Sequence, residues 1–243
     1  MKNAKSNPKS DLRPHSPIAS VQKIAEAVVS CDRCPRLLTY CKGIAQKKRK
    51  QFQSDTYWGK PVPSFGDAQA ELLMVGLAPA AHGANRTGRM FTGDNSGLWL
   101  YRALHKAGFA NQATSERAQD GLKLINAYIT ATIHCAPPDN QPLPDEILNC
   151  RSYFEAELKA LTEVKVILVL GQIALKALWA SLPDAAKPMR SVPKFKHGMK
   201  LMLANQVMLF ASYHPSQQNT FTKRLTEPMF DQVFDEIRQY LNQ

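Results

Sequence analysis

Residues 76–94, GLAPAAHGANRTGRMFTGD, hold the densest set of side chains in this chain that could bind a ligand. The segment contains four glycines and four alanines, which allow a backbone to approach a ligand closely. Its polar members, among them Asn85 and Asp94, supply directed hydrogen bonds, and Phe91 supplies an aromatic face. Neither GxGxxG nor GxxxxGK[ST] is present, so an ordinary phosphate loop is the weaker interpretation.

The position of this segment also indicates a binding site. It follows the apolar run at 72–75, which predicts a buried strand, and the next helical pattern begins only near Gly97. Loops of this length are uncommon unless they are functional. In open α/β sheets, ligands bind beyond the carboxyl ends of the strands. We therefore expect residues 76–94 to line the site.

Two other predicted strands end in residues suited to chemistry. The strand at 127–133 runs into Cys135 and the stiff segment APPDNQP, which presents Asn140. The strand at 207–212 ends in a Tyr-His-Pro-Ser sequence that contains His214. A lone histidine is more often structural than catalytic. Because the strand ends of one sheet edge converge, we expect His214 to reach the same ligand as residues 76–94.

The chain has five cysteines, an odd number, and no apparent export signal. Both features argue against a disulfide framework. Cys31 and Cys34 form a CxxC, and with Cys135 and Cys150 they can close a tetrahedral thiolate site, which leaves Cys41 as a packed helix cysteine. The spacing fits both a [4Fe–4S] cluster and structural zinc. A redox CxxC is disfavoured by the proline after Cys34.

The remaining pattern alternates strands with helices, which predicts an α/β fold with a mostly parallel central sheet flanked by helices. Strands are expected at 71–75, 127–133, 165–170 and 207–212, with a hairpin partner at 200–204. Helices are expected at 97–108, 145–162, 172–181 and 226–241, and a helix from Pro35 is expected to run through the basic residues 47–50. Residues 1–19 predict a disordered tail, and residues 20–243 a single domain.

The formal charge of +11 and the pI of about 9.5 favour a polyanionic partner, with nucleic acid as the leading candidate. A generally basic soluble protein would have a similar charge. The start of the chain has no apolar core typical of a secretory signal, and no apolar stretch is long enough to span a bilayer. We expect a soluble, monomeric protein of the cytoplasm, associated with the nucleoid and without a membrane partner.

Four segments, in this order, resemble the family 5 (type B) uracil-DNA glycosylases of the uracil-DNA glycosylase superfamily. They are YWGKPVPSFGD, GLAPAAHGANRTGRMFTGD, ITATIHCAPPDNQP and SYHPS. With the cysteines they cover most of the chain from Cys31 to the C-terminal helix. The resemblance implies the uracil-DNA glycosylase-like fold, with its N-terminal helical segment held by a [4Fe–4S] cluster. The implied ligands of that cluster are Cys31, Cys34, Cys135 and Cys150.

The resemblance also implies roles for individual residues. Phe91 is expected to stack on a base flipped out of the DNA, and His214 to hydrogen-bond the base carbonyl and stabilise negative charge on the leaving base. Asn85 is a candidate to hold the water or the base, and Asn140 to help position the ligand. The backbone that is expected to line the pocket belongs to Gly76, Leu77 and Ala78.

Ala78 and Ala131 stand where many relatives of the wider superfamily carry polar side chains. Both alanines agree with family 5, and neither supports a mechanism in which a carboxylate activates water. We therefore expect excision of uracil and of other deaminated bases, such as hypoxanthine, from double- or single-stranded DNA, to leave an abasic site. DNA contacts are expected from Ser216, Lys223 and Arg224 in the segment SQQNTFTKRL.

Two alternatives remain open at this point. The first is a non-catalytic iron–sulfur protein that binds nucleic acid, in which Ala78 marks a lost activity. The second is a zinc-stapled nucleotide-binding module without specificity for DNA. A brown protein would reject the zinc alternative, and an alkali strand-nicking assay on uracil-containing DNA would separate an enzyme from a binding protein.

Overall fold

The computed structural model describes residues 17–243. Most of the predicted tail, residues 1–16, lies outside the described residues, and the last three residues of that tail belong to the first helix, Pro17–Val29. No helix among residues 17–243 is both long enough and apolar enough to cross a membrane.

Six strands form one sheet in the order β1-β3-β2-β4-β6-β5. The four inner strands are parallel, and the short edge strands β1 and β5 are antiparallel to their neighbours. The strands are β1 (Phe65–Gly66), β2 (Leu72–Gly76), β3 (Ala127–Ala131), β4 (Val166–Leu170), β5 (Met199–Met202) and β6 (Met208–Ser212). The predicted mostly parallel sheet is therefore confirmed.

Eight α-helices connect and flank these strands in the described part of the chain. They are α1 (Pro17–Val29), α2 (Pro35–Lys47), α3 (Ala84–Thr87), α4 (Asn95–Lys106), α5 (Pro144–Ala160), α6 (Gln172–Ser181), α7 (Gln217–Phe221) and α8 (Glu227–Leu241). Short 3₁₀ turns lie at Lys50–Phe52, Pro138–Asn140 and Asp184–Ala186.

The sheet is buried on both faces, and this explains its uninterrupted apolar strands. Every residue of β2, β3 and β4 is buried. Helices α4 and α8 cover one face with aromatic and aliphatic side chains such as Tyr101 and Phe234, and α5 and α6 cover the other with Phe154 and Trp179. Parallel strands buried on both faces are typical of this layered architecture.

The strand order reverses direction at β2. The chain passes from β2 to β3 on one side, then crosses to β4 on the other side of β2. At such a switch point, the loops that follow adjacent strands diverge and leave a crevice at the carboxyl edge. The segment that follows β2 is residues 76–94.

Two predictions of secondary structure were wrong. Helix α2 ends at Lys47 and does not continue through residues 47–50, because Lys48 has a φ of 48°, which is incompatible with a right-handed helix. The loop 76–94 is not free of regular structure, because it contains the single-turn helix α3.

Candidate active site and cysteine pocket

The loop after β2 and the end of β6 meet through two aromatic rings. The rings of Phe91 and His214 are stacked, with centroids 5.7 Å apart and planes inclined by 29°. Phe91 is 9% exposed, and its φ is 52°. A positive φ is uncommon for a bulky residue and is found where surrounding structure fixes it. The structure thus brings together two of the predicted site residues.

Glycines fix the position of the Phe91 ring and backbone. A Cβ atom on Gly76 would lie 3.1 Å from the edge of the Phe91 ring, so the end of β2 packs directly beneath that ring. A Cβ on Gly97 would lie 1.9 Å from the carbonyl oxygen of Phe91. Both glycines therefore permit contacts that any larger residue would block.

Asp94 and Arg86 fold the loop back on itself. The carboxylate of Asp94 caps helix α4 by accepting a hydrogen bond from the Gly97 N–H, at 2.9 Å, and it packs against Gly83, where a Cβ would lie 1.9 Å from Oδ2. The Arg86 guanidinium donates to the Gly93 carbonyl at 3.0 Å and pairs with Asp55 at 2.7 Å. These contacts hold residues 83–86 against residues 93 and 94 at the carboxyl end of the loop.

Arg89 anchors the same loop to the segment before β3. Its guanidinium is buried, and it bonds the hydroxyl of Thr92 at 2.9 Å, that of Ser115 at 3.1 Å and the carboxylate of Asp120 at 2.8 Å. A buried guanidinium with several partners is costly to disrupt, since the remaining charge would be left unpaired. Arg89 therefore has a scaffolding role in the loop that carries Phe91.

Asn85 presents an unpaired acceptor. Its Nδ2 donates to the carbonyl oxygens of Cys41 and Ala81, both at 3.3 Å, and these bonds fix which way the amide points. Its Oδ1 is buried and has no hydrogen-bond partner among the described residues. An unpaired buried acceptor is uncommon in a folded protein and is a candidate for binding a water or a ligand.

His214 is held by the loop that follows it and is kept neutral by burial. Its carbonyl oxygen accepts a 2.8 Å hydrogen bond from Asn219 Nδ2. Burial lowers the pKa of His214 to about 4, so that the imidazole is uncharged at neutral pH. A neutral imidazole still has one N–H to donate.

The segment after His214 carries the predicted DNA contacts on one exposed surface. Ser216 caps helix α7, with its hydroxyl accepting from the Asn219 N–H at 3.4 Å. Lys223 and Arg224 are exposed, and the Arg224 guanidinium lies 4.6 Å from the centre of the Tyr213 ring. Phe221, at the end of α7, is 75% exposed.

Three predicted residues lie apart from the pair of rings or make no polar contact with it. Asn140 is exposed, with a φ of 56°, at the end of a 3₁₀ turn. The methyl group of Ala78 packs against the apolar cluster that contains Cys41 and Cys135. Ala131 is 1% exposed, pairs with Gly76 in the sheet register and belongs to the same core cluster as Phe91.

The four cysteines of the predicted metal site line a single pocket. The pocket is bordered by apolar side chains such as Leu37 and Ile133. Its cysteines are Cys31, Cys34, Cys135 and Cys150. Cys41 does not line it; its thiol is fully buried and lies 3.6 Å from the Ala136 carbonyl oxygen.

The chemistry of this pocket disfavours bare thiolates. Burial raises the pKa of Cys34 and raises that of Cys150 to about 12. His134 also lines the pocket; its Nδ1 lies 2.7 Å from the Val62 carbonyl, and its buried Nε2 has no partner in the described chain. Within residues 17–243, no three His, Cys, Asp or Glu side chains are arranged to hold one metal ion.

Charged contacts connect the CxxC segment to the helix that bears Cys150. The Arg36 guanidinium makes two 2.8 Å bonds to the carboxylate of Glu146, which is itself nearly buried at the start of α5. Arg33 donates to the Asn149 carbonyl at 3.0 Å and lies 4.6 Å from the centre of the Tyr153 ring. The N-terminal helices are therefore fastened to the sheet domain beside the cysteine pocket.

The sequence interpretation missed Asn219 and His134. Asn219 lies three residues after the helix cap Ser216, and the Ser-x-x-Asn spacing does not indicate that its amide turns back to His214. His134 could have been predicted to lie beside the cysteine pocket, because it directly precedes Cys135 in the sequence.

Comparisons with known proteins agree with these features. Residues 63–238 match the Uracil DNA glycosylase superfamily. The chain is 46% identical over 221 residues to the type-5 uracil-DNA glycosylase of Mycobacterium leprae (strain TN), a match that covers 90% of this chain and 95% of that protein. It is 44% identical over 220 residues to the type-5 enzyme of Thermus thermophilus, which covers 90% and 97% of the two chains. Identity to the type-4 uracil-DNA glycosylase of Sulfurisphaera tokodaii is 25% over 217 residues, or 88% and 83% of the two chains.

Proposed function

The chain belongs to the type-5 uracil-DNA glycosylases, and we propose that it removes bases chiefly by stabilising charge on the departing base with neutral hydrogen-bond donors. It is a hydrolase of N-glycosyl bonds that acts on uracil in DNA in the course of DNA repair. Family membership confirms the resemblance seen in the sequence and sets aside the non-catalytic binding protein.

The observation that carries the mechanistic proposal is the stacked pair of Phe91 and His214 rings at the carboxyl edge of the sheet. The centroid separation of 5.7 Å is within the usual range of about 4.5–7 Å for rings in direct contact, so no third ring fits between them. A flipped base therefore takes the place of the His214 ring against Phe91. This exchange brings the imidazole beside the base edge.

His214 serves as the donor in this mechanism. Breaking the N-glycosidic bond leaves an anionic base and a positively charged sugar. The neutral imidazole donates its N–H to the base carbonyl, where negative charge accumulates, and the bond strengthens as the base departs. The base must first leave the helical stack, at a cost of roughly a few kcal/mol.

Asn85 serves as the acceptor. Its fixed amide and unpaired Oδ1 support a hydrogen bond from either the imide N–H of uracil or the attacking water. The side chains of Ala78 and Ala131 provide no polar atoms, so neither side chain positions water. Asn140 lies on an exposed turn, and we assign it a role in holding the ligand only once DNA has bound.

The segment after His214 is proposed to contact DNA. The exposed Phe221 ring is suited to insert at the gap left by the flipped base, and Lys223 and Arg224 to hold phosphates. Ser216, at the cap of α7, lies next to this surface.

Neutralising Lys223 and Arg224 together is expected to lower the salt dependence of DNA affinity. Each lost phosphate contact reduces the slope of log K against log salt by about 1, so Lys223→Gln with Arg224→Gln should reduce it by about 2. Affinity should fall for all sequences alike, because phosphate contacts carry no base information. Fluorescence titrations at several salt concentrations measure the slope. An unchanged slope would remove these residues from the DNA contact.

The cysteine pocket is proposed to hold a [4Fe–4S] cluster. In such a cluster each thiolate binds a different iron, so the four sulfurs do not converge on one point as they do around zinc. Four cysteines lining one pocket, together with membership of the type-5 family, support this group. When bound, the cluster would cross-link the N-terminal helices to the sheet domain.

We expect this enzyme to remove hypoxanthine as well as uracil. Ala78 and Ala131 add no side-chain polar group that a different deaminated base would leave unpaired, and the N1–H of hypoxanthine can donate to Asn85 Oδ1 as the imide N–H of uracil does, so the pocket discriminates weakly. Asparagine at position 131 adds a group that only the correct base satisfies. Single-turnover rates on uracil and hypoxanthine duplexes should therefore show a higher uracil preference for Ala131→Asn than for the wild type.

Because Ala131 is buried, a thermal melt must show that the Ala131→Asn variant folds. Strict uracil specificity of the wild type would contradict the proposal.

Strand nicking by alkali tests the function directly. A uracil-containing duplex is incubated with the protein and then treated with alkali, which cleaves the backbone at abasic sites. Cleavage of that duplex, with none of a matched thymine duplex, is the expected result. If the protein bound the uracil-containing duplex but left it uncleaved after alkali, the proposed function would be overturned.

A further inference from the structure

Part of one strongly basic stretch of the chain has no role in the mechanism above. Between Asp184 and Glu227 the sequence contains five lysines and two arginines and no acidic residue. Two of these cations, Lys223 and Arg224, follow His214. The other five all belong to residues 187–200, and the part of that segment at 190–198 is here named the basic arm.

The basic arm lies at the same edge of the sheet as His214. It leads into β5, which pairs antiparallel with β6, so that Met199 is opposite Ala211 near the end of β6. The Gly198 N–H donates to the Ala211 carbonyl at 2.9 Å. Because β6 runs directly into His214, the arm ends beside the catalytic loop.

The arm is fastened to the strand end that carries His214. The His197 ring is stacked on the Tyr213 ring, with centroids 5.2 Å apart, and its Nδ1 accepts from the Tyr213 N–H at 3.3 Å. The Phe195 ring lies 6.0 Å from the Tyr213 ring. At its other end, the Arg190 carbonyl accepts from the Trp179 indole at 3.5 Å. These contacts give the arm a defined path.

Its cations face away from those contacts. Burial alternates along the arm, with Phe195 and His197 turned inward and Lys194 and Lys196 exposed. Within the described chain, neither lysine forms an ion pair with an acidic side chain, whereas the nearby Lys187 and Lys200 pair with Asp184 and Glu236. A fixed row of unneutralised cations is suited to a polyanion backbone.

We infer that Lys194 and Lys196 of the basic arm bind DNA backbone phosphates, on the side of Tyr213 away from Lys223 and Arg224. The inference rests on the proposed function, because it takes DNA as the ligand of the neighbouring site. The two basic pairs flank the strand end at Tyr213, with Arg224 and His197 both packed on that ring. DNA bound at His214 would then be held on both sides of the flipped nucleotide.

The test compares two double variants of equal charge. Lys194→Gln with Lys196→Gln removes the arm's cations, and Lys123→Gln with Lys159→Gln removes two exposed lysines near the amino ends of β3 and β4, at the opposite edge of the sheet. The probe is a duplex with a stable abasic-site analogue, titrated over a range of salt concentrations. Arginine at both arm positions is the charge-conserving control.

The arm variant is expected to reduce the salt slope by about 2, to the same extent on damaged and undamaged duplexes. The opposite-edge variant should retain the wild-type slope, and the arginine variant should too. Combining the arm variant with Lys223→Gln and Arg224→Gln should double the loss. Equal slopes for the two double variants would overturn the inference. If the wild type bound this duplex but excised no uracil from a uracil-containing duplex, that result would instead contradict the proposed function.

Discussion

Replacing His214 by alanine should lower the single-turnover rate constant of uracil excision by about 10²–10³-fold, the usual loss when one donor to a developing anion is removed. The loss should appear in the rate at saturating enzyme, because the bond to the base carbonyl is strongest as the base departs. The matched variant is Asn219→Ala, which removes only the 2.8 Å bond to the His214 carbonyl and should lose less. Full activity of His214→Ala would exclude this donor.

The pH profile separates a neutral donor from a charged one. Burial lowers the pKa of His214 to about 4, so its imidazole is neutral above that pH. A neutral donor predicts a rate constant that is level from about pH 8 to about pH 5. A protonated donor would instead give a rate that rises as the pH falls through the same range. That rise would contradict the mechanism.

The same shift has a consequence for stability. The unfolded state binds a proton at His214 below about pH 6.5, whereas the folded state binds it only near pH 4. Protonation of the unfolded state lowers the free energy of unfolding as the pH falls from about 6.5 to about 4. Above about pH 6.5 the histidine is neutral in both states and adds no pH dependence. The melting temperature of the wild type should therefore fall relative to that of His214→Ala as the pH falls from about 6.5 to about 4.

The sheet and the identity of its strand ends were predictable from the sequence because burial on both faces gives continuous apolar runs. The runs at 72–76 and 166–170 lack any competing helical period, and the strands lie within a residue or two of the predicted bounds. The helix boundary at Lys47 was not predictable in this way. It depends on a left-handed Lys48, a conformation that lysine does not favour and that a basic run does not signal.

The chemistry of the site was predictable in its residue types and not in its contacts. His214 and Phe91 were expected at one site, but the sequence gives no sign that their rings stack in the absence of a base. The orientation of the Asn85 amide depends on the carbonyl of Cys41, forty-four positions earlier in the chain. Such long-range hydrogen bonds arise only once the sheet and the N-terminal helices have packed together.

The basic arm shows the same limit. Its lysines are visible in the sequence, and they are interspersed with apolar residues as in many surface loops. Their relation to His214 follows from the antiparallel pairing of β5 with β6. The predicted hairpin at 200–204 was close to the observed β5, and the register of that hairpin determines where the arm ends.

The second large effect concerns the cysteine pocket. Cys135→Ser should abolish the broad visible absorbance of the iron–sulfur cluster and lower the melting temperature, because the N-terminal helices lose their cross-link to the sheet domain. Iron content and absorbance of the purified protein give a readout that does not depend on activity. Melting in the presence and absence of an iron chelator should differ for the wild type and coincide for Cys135→Ser.

Cys41→Ser is the matched control, since Cys41 lies on the helix that follows the CxxC and is a neighbour of Cys135 in the same cluster of buried residues. Its thiol lies 3.6 Å from the Ala136 carbonyl oxygen and also hydrogen-bonds the Cys135 thiol, and a serine hydroxyl can make both contacts from the same position. The variant should therefore keep the wild-type iron content and colour. Its melting temperature should fall only slightly, because the substitution removes little apolar contact.

Because Cys41 and Cys135 are both buried, a general effect of removing a thiol would change both variant proteins alike. If Cys41→Ser lost its iron and Cys135→Ser retained it, Cys41 and not Cys135 would be the ligand.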